Sequence, residues 1–209
     1  MRGVNQGAQI VFLNGASSSG KTSIARQLLL VLGRPYFHFS VDAFHAMRAA
    51  EPTEPIDERT VLGFHRAVAG MAAAGNDIVV DHALAQPHWF ADCVEQWRDH
   101  DVVFVGVHCA LPELNRRERL RDDRETGLAA RQFSRVHTHG DYDLECDTEA
   151  NHPRDCALQI KAFLNKQSLN GQSLNEQSLN RQSLNGQSLV DGDQLRAFGK
   201  QRESLAPLT

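Results

Sequence analysis

The alternation of apolar runs with amphipathic stretches predicts five strands separated by helices. The first run, at residues 9–14, is short and apolar, which is typical of a strand buried in a parallel sheet. The strands are expected at residues 9–14, 36–42, 77–81, 102–107 and 142–148. Helices are expected at residues 22–30, 57–74, 87–97, from about 112 onward, 127–137 and 151–164, with a short one soon after residue 42. This order predicts an α/β domain in which helices cover both faces of a parallel sheet of about five strands.

The pattern changes at Asn165, where a repetitive segment begins. Five N-x-Q-S-L pentapeptides run from there to Leu189. Leucines five residues apart rotate by about 140° per repeat on a helix and change face at each repeat on a strand. Because neither element gathers the leucines on one side, we expect a polar, mostly disordered tail. A short solenoid or an interaction segment is the alternative, although the repeats are few for a solenoid. The chain is accordingly divided into a domain over 1–164, the tail over 165–189 and an extension over 190–209.

Composition and charge argue against a nucleic-acid-binding, secreted or membrane-spanning protein. The chain has 209 residues, enough for one α/β domain with a sizeable core. Its 22 lysines and arginines against 26 aspartates and glutamates give a formal net charge of −4, which does not support a nucleic-acid-binding surface. The segment before Ile10 is too short and polar for a signal peptide. No apolar run approaches the length of a membrane span. Together these features predict a cytoplasmic protein.

The four cysteines are widely spaced and form no C-x-x-C pair. Three of them fall in predicted helices or strands, so we expect buried free thiols, which suit a reducing cytosol. They are Cys93, Cys109, Cys146 and Cys156.

Candidate chemistry begins with the loop that follows the first predicted strand. It reads G-x-x-x-x-G-K-[ST], the phosphate-binding loop (P-loop) signature, and it lies between a strand and a helix, as that motif requires. Its glycines and small residues allow successive N–H groups to surround a phosphate, and the next helix points its N-terminus at the same anion. Lys21 supplies charge for the outer phosphates of ATP, and Thr22 supplies a hydroxyl ligand for Mg²⁺. The predicted ATP-binding residues are Gly15, Ala16, Ser17, Ser18, Ser19, Gly20, Lys21 and Thr22.

Two aspartates are expected beside this loop, because ligands of open parallel sheets bind beyond the carboxyl ends of the strands. Asp42 and Asp81 both end a predicted strand. One can hold Mg²⁺, and the other can orient or deprotonate an attacking hydroxyl. Simple capping of the following helices is the alternative. The residue after Asp81 is His82, where ATPases that perform mechanical work commonly have a glutamate, so phosphate transfer is favoured over plain hydrolysis.

Arginines are concentrated in a charged segment that begins near Pro112. Arg117, Arg121 and Arg124 share one face of a predicted helix by their i, i+4, i+7 spacing. Arginine stabilises the charge on a transferring phosphoryl group, and a mobile lid that carries such residues would exclude water. A solvated helix held by pairs such as Glu113 with Arg117 is the alternative.

Two further groups are weaker candidates. His137 and His139 alone make a weak metal site, and a loop is favoured. Several aromatic and apolar residues are candidates for the lining of an acceptor pocket, although most are expected in the core. They are Phe44, Met47, Phe64, Trp89 and Phe90.

Taken in order along the chain, these segments resemble the chloramphenicol phosphotransferase family over roughly residues 9–164. The resemblance rests on residues 10–23, 41–42, 79–81, 105–109, 117–118, 123–124, 127–132, 136–137, 142–143 and 147–148. It implies a fold similar to the small nucleoside-monophosphate kinases, with an arginine-bearing lid, and transfer of the ATP γ-phosphate to a hydroxyl of the antibiotic. By this resemblance Asp42 takes the position of the catalytic base and residues 15–22 form the ATP loop. The segment between Asp42 and Asp81 is shorter than that family leads us to expect, and the repetitive tail has no counterpart in it.

The expected function is therefore ATP-dependent phosphate transfer to a hydroxyl of a small molecule, with Mg²⁺ as cofactor. Two alternatives stay open. One is a nucleotide switch or ATPase that acts through a partner, with the tail as its docking segment. The other is a kinase of a nucleotide-sugar or nucleic-acid end. Asp42 together with the arginine segment favours the small-molecule kinase, and the negative net charge disfavours a polynucleotide substrate.

Overall fold

A five-stranded parallel sheet forms the centre of the computed structural model, which describes residues 8–48, 57–121 and 126–185, with side chains up to residue 169. Its strands are β1 (Gln9–Asn14), β2 (Phe37–Ser40), β3 (Ile78–His82), β4 (Asp101–His108) and β5 (Leu144–Asp147). They lie in the order β2-β3-β1-β4-β5, and every neighbouring pair is parallel. The prediction of an α/β fold with a parallel sheet is confirmed.

Helices connect the strands, as expected for parallel pairing. They are α1 (Lys21–Val31), α2 (Val41–His45), α3 (Glu58–Ala73), α4 (Pro87–Trp97), α5 (Leu111–Glu118), α6 (Leu128–Phe133) and α7 (Pro153–Asn185). The local signals explain several boundaries: Asp57 caps α3 by accepting a 2.7 Å hydrogen bond from the Thr60 amide, and Pro87 occupies the first turn of α4. None of the described helices combines the length and apolar character needed to cross a lipid bilayer.

The two faces of the sheet bury separate apolar clusters, because successive strand residues point in opposite directions. Phe12 and Val80 face one side, where α3 and α4 pack on them through residues such as Phe64. Val11 and Val79 face the other side and contact α1 and α7. The carboxyl ends of β1 and β3 therefore lie between two helical layers.

The second strand is shorter than predicted, and this moves Asp42 to a different element. β2 ends at Ser40, and Asp42 lies in the first turn of α2 rather than at the end of a strand. The local sequence is compatible with this: Asp42, an acidic residue in the first turn of α2, complements the helix dipole, although the Ser40 side chain at the N-cap makes no capping hydrogen bond.

The helices of the arginine segment are also shorter than predicted. α5 ends at Glu118, so Arg121 lies beyond it and does not share a helical face with Arg117. Arg124 lies outside the described residues. α6 ends at Phe133 instead of near His137.

The last helix is longer than expected, since α7 continues from the domain into the repeats as far as Asn185. The mostly disordered tail predicted from residue 165 onward is thus helical in its backbone up to that residue. Apart from glycine and asparagine, the repeats consist largely of glutamine, leucine and serine, which a helix accepts without a one-sided apolar stripe. The division of the chain at residues 164 and 189 stays a prediction.

All four cysteines are buried and free, as predicted.

Candidate functional site

A cavity of about 400 Å³ opens at the carboxyl edge of the sheet beside the loop of residues 15–22. It is lined by residues from the loop, from α2, from β3 and from the arginine segment. These four separate stretches of the chain thus meet in one place. The predicted site residues that line the cavity are Ser18, Gly20, Lys21, Thr22, Asp42, Asp81, Arg117 and Arg121.

The loop is shaped by close packing and by two left-handed residues. A Cβ at Gly15 would collide with the carbonyl oxygen of Val107, so a side chain is excluded there. Ser18 and Gly20 have φ values of 64° and 94°, in the left-handed region that turns N–H groups toward a common centre. α1 begins directly afterwards at Lys21. The loop therefore has the form that binds an anion at a helix N-terminus.

Lys21 is folded back over the loop and is almost buried. Its ammonium donates hydrogen bonds to the carbonyl oxygens of Gly15 at 2.8 Å and Ala16 at 2.9 Å. It lies 4.0 Å from Oδ1 of Asp81. The carbonyl oxygens of the loop and the nearby carboxylate of Asp81 thus hold the positive charge of Lys21 beside the loop.

Two residues that the sequence did not single out support the loop from outside. The side-chain oxygen of Gln132, on α6, accepts a 2.7 Å hydrogen bond from the Ser17 amide. The Thr148 hydroxyl, after β5, donates a 2.7 Å bond to the Ser19 carbonyl. Both belong to segments used for the family resemblance, but contacts between residues more than 100 positions apart have no signature in residue spacing.

Asp81 is the acidic centre of the site. Only 4% of it is exposed, and its Oδ2 accepts a 2.5 Å hydrogen bond from the Thr22 hydroxyl. Nε2 of His38 lies 3.7 Å from the same oxygen. Burial acts to raise the pKa of Asp81, but the interactions with His38, Lys21 and Thr22 outweigh it and lower the pKa below its ordinary value. Asp81 is therefore ionised at neutral pH. Its carboxylate and the Thr22 hydroxyl together offer two oxygen ligands of the kind that Mg²⁺ prefers.

Asp42 reaches the same cavity from α2 but in a different environment. It is exposed, whereas Asp81 is buried. β2 pairs with β3 in the register Ser40 to Asp81, which brings the start of α2 next to the buried carboxylate. The two aspartates thus differ in environment: Asp81 is buried, and Asp42 is exposed where it lines the cavity.

Arg117 is fixed by hydrogen bonds to two other elements. Its Nε donates to Glu113 at 2.7 Å, and its terminal nitrogens donate to the hydroxyl and the carbonyl of Thr148 at 3.1 and 2.8 Å. Because Thr148 also contacts the loop, Arg117 ties α5 to the phosphate-binding loop. Hydrogen bonds from Arg116 and Arg117 lower the pKa of Glu113 to about 2. The predicted pair of Glu113 with Arg117 is therefore present, and Arg117 still lines the cavity.

The two histidines considered for a metal make hydrogen bonds to protein groups instead. Nδ1 of His137 lies 2.7 Å from the Tyr142 hydroxyl, and Nε2 of His139 lies 2.9 Å from the Leu84 carbonyl. Within the described part of the chain, no group of three or more histidine, cysteine or acidic side chains is arranged to hold a metal ion.

The apolar residues considered for an acceptor pocket divide into two groups. Phe64 and Phe90 belong to the core. Phe44 and Trp89 are partly buried against it, and Met47 is 79% exposed.

A buried histidine lies beside this apolar group. His82, which the sequence marked only as the residue after Asp81, is 2% exposed, with its ring 5.6 Å from that of Trp89. Burial above all, with smaller electrostatic contributions from His65 and Lys21, lowers its pKa well below the ordinary value.

Comparison with known proteins places this geometry in context. The profile of a family described as chloramphenicol phosphotransferase-like protein matches residues 8–165. A Mycobacterium tuberculosis protein with the provisional name O-phosphotransferase is 24% identical over 188 residues, which cover 77% of this chain and 83% of that protein.

Two solved kinases have a similar fold. The Mycobacterium tuberculosis APS kinase, in complex with AMPPNP and APS, has a TM-score of 0.59 and 18% identity, with 76% of this chain and 98% of that chain covered. A gluconokinase from Sinorhizobium meliloti has a TM-score of 0.58 and 19% identity, with 80% and 98% covered. At this level of identity, the likeness establishes the fold.

Proposed function

The chain belongs to the chloramphenicol phosphotransferase-like family of P-loop phosphotransferases, which its sequence matches over residues 8–165, and we propose that it transfers the γ-phosphate of ATP to a hydroxyl group of a small molecule. The observation that carries the proposal is the convergence of Lys21, Asp42 and Asp81 on one cavity at the end of the sheet. A donor phosphate, a cation and an attacking hydroxyl each find a suitable group there.

The loop is the proposed site of the ATP phosphates. Its N–H groups and the N-terminus of α1 favour an anion without any change of protonation. Lys21 now bonds to the carbonyls of Gly15 and Ala16, and a phosphate oxygen is a stronger partner for an ammonium than a neutral carbonyl. We therefore assign Lys21 to the outer phosphates, where it stabilises the charge that moves with the transferring group.

Thr22 and Asp81 fit a magnesium ion, since they offer two oxygen ligands of which one is charged. Magnesium in nucleotide sites keeps several waters and takes only one or two protein ligands together with the phosphates. When bound, the ion would neutralise charge on the phosphate oxygens. The lowered pKa of Asp81 keeps this ligand ionised at neutral pH.

Asp42 is the proposed catalytic base. It lines the cavity, it is exposed to an incoming molecule, and its neighbour on the next strand, Asp81, is already held by Thr22. A carboxylate in this position can accept the proton of the attacking hydroxyl, or orient that hydroxyl toward the phosphate.

The arginines are proposed to act in two ways. Arg121 lines the cavity beyond the end of α5, and its guanidinium is proposed to stabilise phosphoryl charge. Arg117 also lines the cavity. In addition it is proposed to position the loop, because its hydrogen bonds to Thr148 link α5 to the loop. Arg124 keeps its sequence-based assignment to the same charge.

A mass-spectrometric screen tests the proposal. The protein is incubated with Mg·ATP and a panel of uncharged hydroxylated metabolites and antibiotics, chloramphenicol among them, and each compound is examined for the gain of one phosphoryl group. Transfer to at least one compound, absent in the Lys21→Ala variant, is the expected result. ATP hydrolysis that is unaffected by every compound, with no phosphorylated product, would overturn the proposal in favour of an ATPase or nucleotide switch.

A further inference from the structure

His82 is buried at the carboxyl end of β3 with no hydrogen-bond partner. It is 2% exposed, and among the described residues neither of its ring nitrogens has a partner. The rings around it are apolar or only weakly polar, with those of Phe64 and Trp89 at centroid distances of 5.8 and 5.6 Å. Buried polar groups in native proteins are almost always bonded, so an unpaired imidazole of this kind calls for an explanation.

His65 on α3 is a second buried histidine with an unpaired nitrogen. Its Nδ1 lies 2.7 Å from Oδ2 of Asp92, whose carboxylate only accepts, so Nδ1 donates. Burial lowers the pKa of His65, which favours the neutral ring. Nε2 is then a hydrogen-bond acceptor, and no described group donates to it. The ring centroids of His65 and His82 are 5.4 Å apart, so the two histidines form one buried pair in which each ring has an unpaired nitrogen.

The histidine pair lies on the face of the sheet that is covered by α3 and α4, to which α2 contributes Phe44. Asp81 and His82 are consecutive in β3 and point to opposite faces of the sheet, so the loop lies on one side and the histidine pair on the other. Phe44, two residues after Asp42, packs on Phe64 at 5.6 Å, and Phe64 also contacts His82. Two aromatic side chains, Phe44 and Phe64, therefore connect the start of α2, where the proposed base lies, to His82. Trp89, whose ring also contacts that of His82, is only partly buried.

We propose that His82 and His65 hold a second polar group of the acceptor, a hydroxyl or an N–H, away from the hydroxyl that is phosphorylated. Nε2 of His65 requires a donor, which a carboxylate or phosphate oxygen does not offer. A hydroxyl can donate to His65 and still bond to His82. The two histidines determine specificity and take no part in the transfer, and this inference rests on the proposed function.

Kinetics with a matched pair of acceptors test the role. The first is a compound that the screen shows to be phosphorylated, and the second is its analogue without the additional hydroxyl or N–H. Sites built to bond a hydroxyl discriminate strongly against analogues that lack it, so the wild-type protein should use the analogue at least about 30-fold less efficiently in kcat/KM. In His82→Phe, which keeps an aromatic ring but removes both nitrogens, KM for the parent compound should rise about tenfold or more, with kcat within about threefold. The discrimination between the two compounds should largely disappear.

The control is His100→Phe. His100 is partly buried and directly precedes β4, at the end of the sheet away from the loop. This substitution should leave kcat/KM for both acceptors unchanged. His82→Phe should also keep the wild-type affinity for a nonhydrolysable Mg·ATP analogue and should not lower Tm, because no hydrogen bond of the free protein is lost. A fall in Tm of many degrees would show that the ring is structural and would overturn the inference. If an active His82→Phe protein still discriminated between the two acceptors as the wild-type protein does, this inference would be overturned and the proposed function would stand. A wild-type protein that phosphorylates nothing would instead overturn the proposed function, and this inference with it.

Discussion

The hydroxyl of Thr22 donates a 2.5 Å hydrogen bond to the carboxylate of Asp81, across 59 residues of sequence. This contact joins the first turn of α1 to the end of β3 and leaves the other aspartate, Asp42, exposed in the cavity. It distinguishes two carboxylates to which their predicted position at strand ends gave the same two possible roles. The Thr22–Asp81 pair suits a cation, and Asp42 suits an incoming hydroxyl.

Replacing Asp42 with asparagine should affect turnover rather than nucleotide binding. The shape is kept, but the ability to accept a proton is lost, so kcat should fall by roughly 10²–10⁴. Affinity for Mg·ATP should change little, since the loop and Lys21 hold the phosphates. Asp81→Asn is the matched comparison: it should weaken Mg·ATP binding and shift its Mg²⁺ dependence. Titration calorimetry and initial rates on both variants separate the roles, and the assignment of the base fails if Asp42→Asn mainly loses Mg·ATP affinity.

Lys21→Ala should remove nearly all transfer activity. Loss of a charge directed at developing phosphoryl charge typically costs on the order of 10²–10³ in rate. Lys166→Ala, at an exposed position on α7, is the control and should behave like the wild-type protein. Rates under saturating ATP measure the difference. Near-normal turnover in a folded Lys21→Ala protein would contradict the assignment of this loop.

Gly15→Ala should disable the loop through packing rather than through charge. The new Cβ would collide with the Val107 carbonyl and would lie 2.8 Å from Oγ of Ser19, so the backbone of the loop must shift. We expect nucleotide affinity to fall at least about tenfold, by analogy with other misplaced binding groups. Gly70→Ala is the matched control, because a Cβ there meets nothing within 4 Å and α3 gains helix propensity. Equal nucleotide affinities in the two variants would show that the close approach at Gly15 is unimportant.

The free energy of unfolding should depend on pH through His137. Burial, together with the charges of His108 and Lys21, lowers the pKa of its ring to about 4 in the native protein, against about 6.5 in an unfolded chain. Between these values the unfolded state binds more protons. The native state therefore keeps its full stability above about pH 6.5 and loses on the order of 2 kcal/mol as the pH falls toward 4.

His137→Gln should remove this part of the pH dependence. Urea unfolding at pH 7.5 and 4.5 should show a smaller difference between the two conditions than in the wild-type protein. His152 is exposed, and His152→Gln serves as the control. This variant should show the same difference in the free energy of unfolding between the two pH values as the wild-type protein. If His137→Gln and the wild-type protein lose equal stability on acidification, the histidine is not the group responsible.

Truncation after Leu164 should leave the fold and the activity largely intact. The residues of α7 that pack against α1 and the sheet are Cys156, Ala157, Ile160 and Leu164, whereas Leu169 is 66% exposed. Removal of residues 165–209 should therefore shift Tm by no more than a few degrees. Ile160→Ala in the full chain is the comparison, with an expected cost of about 2–5 kcal/mol from the cavity it creates. Insoluble truncated protein, or a loss as large as that of Ile160→Ala, would show that the repeats are structural.

Local sequence determined most of the elements. The pattern of apolar residues located every strand, although β2 and β5 carry exposed residues. Gly15, Gly20 and Lys21 identified the anion-binding turn because its shape depends on a few consecutive residues. The ends of the elements were predicted less accurately than their presence. β2 ended at Ser40, so that Asp42 lay in α2, and α7 continued past Leu164. At such boundaries local helix propensity competes with the hydrophobic pattern of the longer segment.

Only the tertiary structure decided which groups meet. Gln132 and Thr148 reach the loop from across the fold, and Arg117 reaches Thr148 rather than open solvent. The burial of His82 followed from α3 and α4 covering one face of the sheet. Such contacts depend on the order of the strands and on the packing of helices over them. Hydrophobic periodicity reports which face of an element is buried, but it does not report which side chain from another element will lie against that face.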